Sequence, residues 1–154
     1  MWRFVKNQGS LIATGIDSGQ TGGTVKVLGD KVGVMASAVI DASGTSGGGE
    51  ILIGGNYQGK GIESNASVTY VDQDSSIKAN ALNSGSGGRV IVWANDATRF
   101  YGSIEAKGGV NGKQLQLITR DDNASPGDAV RAAEELLSRE KVDVLSGAFL
   151  SHIG

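Results

Sequence analysis

The stretch Gly54-Gly55-Asn56-Tyr57-Gln58-Gly59-Lys60-Gly61 nearly spells a phosphate-cradling loop, and it comes after a strand signal as such a loop should. In that chemistry backbone N–H groups surround the phosphates, the Lys reaches the outer ones, and a Ser or Thr after it holds Mg²⁺. Gly61 stands where that hydroxyl belongs. The residues beyond Gly61 are strand-like, so the helix N-terminus that completes an anion site is not expected. Asp72-Gln73-Asp74-Ser75-Ser76 spaces oxygen ligands like the start of a calcium loop. It lacks the turn Gly at the sixth place and the bidentate Glu at the twelfth, where Asn83 stands, so it reads as a solvated turn. Asp121 and Asp122 are adjacent acids before a helix signal and serve turn and capping needs better than a cation. His152 is the single histidine and neighbours Ser151, but no third group is placed to orient a nucleophile–base pair. Trp93 and Tyr101 would offer a carbohydrate or protein contact if exposed; stacking among the strands is the favoured reading. No catalytic residue, metal site or cofactor is expected.

Composition supports that expectation. The chain has 154 residues with 25 Gly, one Pro and no Cys, and 14 Lys plus Arg against 16 Asp plus Glu give a net charge of −2. That length suffices to bury a sizeable core. The near balance of charge gives no footprint for nucleic acid or an acidic membrane. Apolar runs fall far short of a membrane span, and residues 1–10 hold no signal-peptide core. Absent Cys excludes disulfides, Cys-ligated zinc and thiol catalysis. An enzyme acting on polysaccharide would need clustered acids with basic partners on one face; the carboxylates here are scattered along the chain, so that reading ranks last.

The elements that would position any site change character near residue 113. Of the 25 Gly, 22 lie in residues 1–112, whereas 12 of the 30 charged residues crowd into the last 42 positions. Residues 108–113 therefore read as a seam between a first segment, 1–112, and a second, 113–154. The first contains an internal repeat. Leu11-Ile12-Ala13, Val39-Ile40-Asp41-Ala42 and Ser76-Ile77-Lys78-Ala79 each lead through a Gly run (Gly22-Gly23, Gly47-Gly48-Gly49, Gly87-Gly88) to an alternating apolar strand. Those strands are Thr24-Val25-Lys26-Val27-Leu28, Glu50-Ile51-Leu52-Ile53 and Arg89-Val90-Ile91-Val92-Trp93; a fourth unit opens at Ser103-Ile104-Glu105-Ala106. Val32 with Val34, and Val68 with Tyr70, supply further alternation. Short strands with one apolar face cannot bury it alone, and stacking the repeats buries it. The repeat predicts a mainly β fold, a parallel β-helix, with an antiparallel sandwich as the alternative.

Val25 to Gly55, with its Val-Leu-Gly, Ile-Asp-Ala-Ser-Gly and Ile-Gly-Gly elements, resembles the filamentous haemagglutinin-type exoproteins of two-partner secretion. The run from Val90-Ile91-Val92-Trp93-Ala94-Asn95-Asp96 through Phe100-Tyr101-Gly102-Ser103-Ile104-Glu105-Ala106-Lys107-Gly108-Gly109 carries the closest similarity. The resemblance spans about residues 5–112. It implies a right-handed β-helix, export to the cell surface and adhesion, with a protein or carbohydrate partner there. The family's leading secretion domain is not visible, so residues 5–112 read as an interior slice of a longer shaft.

The second segment has another pattern. Gln114-Leu115-Gln116-Leu117-Ile118-Thr119 alternates as a strand. Ser125-Pro126-Gly127-Asp128 starts a helix, with Ser as N-cap and Pro at the first helical position. Val130, Ala133, Leu136 and Leu137 form its apolar stripe, and Val142, Val144 and Leu145 form a second strand closed by Gly147. Strand, helix and strand make a short C-terminal βαβ segment. With the lead Gly109-Val110-Asn111-Gly112-Lys113, Arg120-Asp121-Asp122 and Gly147-Ala148-Phe149-Leu150-Ser151, residues 109–154 resemble the periplasmic branched-chain amino-acid-binding proteins of ABC import. That resemblance implies contact between Ser151 and a bound aliphatic amino acid. It covers only the opening of a first lobe.

The whole reads as a non-enzymatic structural or adhesive segment, secreted or at the cell surface by resemblance, with an incomplete solute-binding module as the alternative. Its partners are expected to be protein or carbohydrate, not nucleic acid, without membrane insertion. Strand edges exposed at the ends of a cut β-helix would also favour self-association.

Overall fold

The computed structural model describes residues 4–111, 113–114 and 126–140. The chain divides into two compact units, Met1–Leu115 and Gln116–Gly154.

In the first unit the chain runs repeatedly through three short strands. The first circuit holds β1 (Phe4–Asn7), β2 (Ser10–Ile12) and β3 (Thr24–Val27). The second holds β4 (Lys31–Val34), β5 (Val39–Asp41) and β6 (Glu50–Ile53), and the third holds β7 (Val68–Val71), β8 (Ser76–Lys78) and β9 (Arg89–Val92). β10 (Ala97–Phe100) and β11 (Ser103–Glu105) come next, and then β12 (Gly109–Val110) and β13 (Lys113–Gln114). Each strand pairs in parallel with the strand three places on, giving sheets ordered β1-β4-β7-β10, β2-β5-β8-β11 and β3-β6-β9. β12 and β13 pair antiparallel on either side of Asn111, whose φ of 50° suits a hairpin turn.

This pairing corrects the expected right-handed parallel β-helix with a C-terminal βαβ segment. The strands belong to three separate parallel sheets of four, four and three strands rather than to a single wound element. Past them the described residues hold an antiparallel pair and, of the expected βαβ segment, its helix. The physical reason lies in the turns: strands of three or four residues end at Gly-rich corners, and each face then extends only through its own ladder. Parallel pairing in all three sheets equally removes the antiparallel sandwich.

The repeat acquires a physical meaning at those corners. The Gly23, Gly49 and Gly88 N–H groups each donate to the carbonyl of the Ala closing the preceding strand, Ala13, Ala42 and Ala79, all at 2.7 Å. Successive circuits approach so closely there that a Cβ on Gly48 would lie 2.0 Å from the Ala79 carbonyl oxygen. Side chains add a ladder of their own: Ser43 Oγ accepts from Asn80 N at 3.0 Å, and Asn80 Oδ1 accepts from Lys107 N at 2.8 Å. Buried Asn80 is completed by its Nδ2, which donates to Glu105 Oε2 at 3.2 Å.

Between the sheets lies a core of Val25, Val27, Val32, Val34, Ile40, Ile51, Ile53, Val71 and Ile77. The repeated Ile is offset from its expected ladder in one place. Leu11, not Ile12, continues the column Ile40–Ile77–Ile104, and Ile12 points outward at 59% exposure. A strand has a period of two, so a one-residue shift moves a side chain to the opposite face.

In the second unit α1 (Pro126–Ser138) begins at Pro, whose missing N–H costs nothing at a first helical position. Of the expected stripe, Leu136 is buried, while Val130 and Leu137 are more than half exposed. Arg139 and Glu135 pair at 3.3 Å across one helical turn. The strands expected at 114–119 and 142–145 lie outside the described residues, apart from Gln114 in β13.

Candidate functional site

The outward face of the sheet β3-β6-β9 gathers the chemistry that the sequence scatters. Its register sets Glu50 beside Arg89, and Lys26 in one row with Leu52 and Ile91. After β6 the chain leaves the sheet at Gly54 (φ 77°), makes the loop 55–65, and returns at Ala66. The Ala66 N–H donates to the Gly54 carbonyl at 2.6 Å, and the Gly54 N–H donates to Val27 O at 2.8 Å, so both ends of the loop are tied together on the sheet. Loops of this length with joined ends form compact Ω-loops packed by their own side chains.

The near-phosphate motif is the first half of this loop. Asn56 Oδ1 accepts from Tyr57 N at 2.7 Å and initiates a 3₁₀ turn, Tyr57–Gly59, after which Lys60 is extended. No α-helix succeeds it, so no dipole is aimed at an anion, in line with the sequence reading. The loop instead clamps onto the sheet. Lys26 Nζ donates to Glu63 Oε1 at 3.0 Å, Asn56 Nδ2 donates to Glu63 Oε2 at 3.0 Å, and Arg89 Nη2 donates to Asn56 Oδ1 at 2.9 Å. Arg89 Nη1 also lies 3.4 Å from Glu50 Oε1, completing a chain of five polar side chains. The hydrogen bond from Asn56, with those from Lys26, holds the Glu63 carboxyl down at about 2 against an ordinary 4.5.

Apolar groups lie beneath. Leu52 is fully buried although it faces away from the core that Ile51 and Ile53 enter, because Glu63 of the loop reaches over its row to Lys26. Trp93 comes directly after β9, half-buried, with its Nε1 donating to Asn95 Oδ1 at 3.3 Å. Added Cβ atoms at Gly55 and Gly59 would stand 2.9 and 3.0 Å from its indole, so glycine lets the loop backbone lie on the ring edge. Asn65 Nδ2 donates to Gly59 O at 2.7 Å, whereas Asn65 Oδ1 is buried without a partner among the described residues.

Chemically this is a clamp. A carboxylate held ionised to about pH 2 has no proton to deliver near neutrality, and both basic groups are engaged. The acids and bases do converge on one face, which the linear sequence does not disclose; the only local hint is the alternation that points Lys26, Glu50 and Arg89 outward.

The other sequence candidates resolve separately. Asp72 Oδ1 accepts from Gln73 N at 2.9 Å and its Oδ2 from Ala36 N at 3.4 Å, the work of a turn residue. Among the described residues no group of three His, Asp or Glu side chains could hold a metal ion. Tyr101, 59% exposed, packs at a tilt against Tyr70 with ring centroids 5.8 Å apart, so the aromatic pairing lies on the surface rather than within the core. A shallow cavity of about 350 Å³ lined by Val5, Leu28, Gly29, Asp30 and Ser64 adds one carboxylate residue and no basic one. Asp121, Asp122, Ser151 and His152 lie outside the described residues.

Comparison with known families gives one match: the model of the periplasmic binding protein family aligns with residues 88–153. The matched segment, under half of the chain, begins before β9 and thus includes strands of the first unit as well as α1. It supports the periplasmic-binding-protein resemblance and starts earlier than the expected residue 109; it does not bear on the haemagglutinin-type resemblance. No curated protein matches the chain. Among the described residues no helix is long and apolar enough to cross a membrane.

Proposed function

We propose that residues 88–153 are a segment of a solute-binding module of the periplasmic type, acting without catalysis outside the cytoplasm. The family match over those residues is the observation that carries this reading. Its expected ligands are branched-chain or other small aliphatic amino acids, with Ser151 as a contact to the bound molecule. A ligand that binds only the folded state raises its stability by about 1.4 kcal/mol at ten times Kd. Leucine, isoleucine and valine should therefore raise the melting temperature saturably, and Ser151→Ala should weaken the effect. An unchanged melt at about 10 mM of each amino acid, some ten times a Kd near 1 mM, would remove the proposal.

A second reading, adhesion to protein or carbohydrate at a cell surface, draws support from one feature of the first unit. Phe4 at 60% exposure and the Tyr70–Tyr101 pair stand on the outer side of the β1-β4-β7-β10 sheet. Retention on a glycan array that is lost in Tyr101→Ala would favour it over solute binding.

A further inference from the structure

We propose that the loop 55–65 is an electrostatically latched strap that lifts from the sheet as a unit and gates access to an apolar strip formed by Leu52, Ile91 and Trp93. Three features of the geometry point to a cover with its own opening equilibrium.

The first is where the strap's attachments lie. Its side-chain ties to the sheet pass through two atoms of Asn56 and the carboxylate of Glu63, which meet Arg89 and Lys26. Lys26 and Arg89 keep about half of their side-chain surface in water. Such a tie weakens with salt, whereas the interior core on the far side of β6 does not depend on it. The second is the hinge. Gly54 at φ 77° and Gly55 at φ 152° adopt backbone angles open to glycine, and the hydrogen bond from Ala66 N to Gly54 O preserves the base when the rest moves. The third is a counterweight. Closure leaves Asn65 Oδ1 buried and unpaired, a disfavoured state that opening relieves by returning the oxygen to water.

The strip beneath is continuous. Leu52 and Ile91 are neighbours in register, and Trp93 lies two residues beyond Ile91 on the same outward face. Opening exposes this row without breaking the sheet ladders, because β6 and β9 pair through their backbones. The strap tip carries exposed Lys60 between two glycines of positive φ, so the Lys60–Gly61 bond reports opening to a protease.

The test uses the full chain with Trp2→Phe, leaving Trp93 as its single indole. Asn56→Ala breaks the link between Glu63 and Arg89. Loss of a charge-assisted hydrogen bond should raise the open population roughly tenfold. Acrylamide quenching of Trp93 and trypsin cleavage at Lys60–Gly61 should increase together, while the far-UV strand spectrum and main melting transition stay in place. In the parent, rising NaCl should raise both signals; in Asn56→Ala the salt response should be smaller. Glu63→Gln keeps the size of the side chain but removes its charge and one of the two oxygens that accept from Lys26 and Asn56, and provides a second variant should Asn56→Ala lose its fold. The proposal is overturned if quenching and cleavage are unchanged in the folded variants. It is equally overturned if they rise only as the strand spectrum is lost, because the strap would then have no motion separate from unfolding.

Discussion

At the scale of single residues, Glu63 joins the loop to the sheet and is the side chain whose ionisation the fold most visibly controls. Its side chain is 10% exposed, between the ammonium of Lys26 and the amide of Asn56. A carboxyl whose folded pKa is depressed stabilises the fold above its unfolded value, and that contribution is lost as pH falls through the folded value. For Glu63 the window runs from 4.5 down to about 2. Trp93 emission in the Trp2→Phe background should therefore stay constant to about pH 4 and change below it as Glu63 takes up a proton. Glu63→Gln should abolish that acid transition; if the variant retains it at the same pH, another group is responsible. Asn56 has a comparable position in the sequence, in a motif that reads first as an anion loop. Its amide serves both the turn and the clamp, and that double use depends on Arg89, 33 residues away.

At the scale of elements, β6 is the central strand of its sheet and is buried on both sides. Ile51 and Ile53 fill the core, and Leu52 lies under the loop. Parallel strands covered on both faces are expected to be apolar throughout, and Glu50-Ile51-Leu52-Ile53 obeys that rule after its first residue. Ile53→Ala should cost about 2–5 kcal/mol, while Ile12→Ala on the exposed side of β2 should stay within about 0.5 kcal/mol. Urea melts of the two variants decide the point: equal shifts in midpoint would mean that facing, and hence register, has been misassigned. Of the eleven strands in the parallel sheets the sequence marks nine well, because alternation and flanking glycine are local signals. It misses β1 and β10. Phe4–Asn7 presents a polar residue, Asn7, on the inner side, and Ala97–Phe100 has only Phe100 as a large apolar group. Both are strands because each lies beside an established partner, β4 or β7.

At the scale of the whole molecule, two compact units share one chain, with the division at Leu115. The first carries its own core and continuous ladders, so residues 1–115 produced alone should keep the strand spectrum and a cooperative melt near that of the full chain. A broad, non-cooperative transition in that fragment would show that the sheets need the remainder. The family match crosses this division, beginning at residue 88. A compositional seam at residue 113 and a family boundary therefore do not coincide, and strands β9 to β11 belong both to the repeat and to the matched segment.

The sequence alone determined where short strands form, where glycine must allow two circuits to touch, and that a helix starts at Pro126. Each of these depends on neighbours within a few residues, through alternation, the missing Cβ and capping geometry. Only the tertiary structure decided that strands pair three places apart into separate sheets, that Leu11 replaces Ile12 in the core column, and that scattered Lys26, Glu50, Asn56, Glu63 and Arg89 converge. Those outcomes depend on register between distant segments. A register energy is a sum over partners that no local window of the chain contains, and a shift of one residue would have turned the strand side chains Leu11, Lys26, Glu50 and Arg89 to the opposite face.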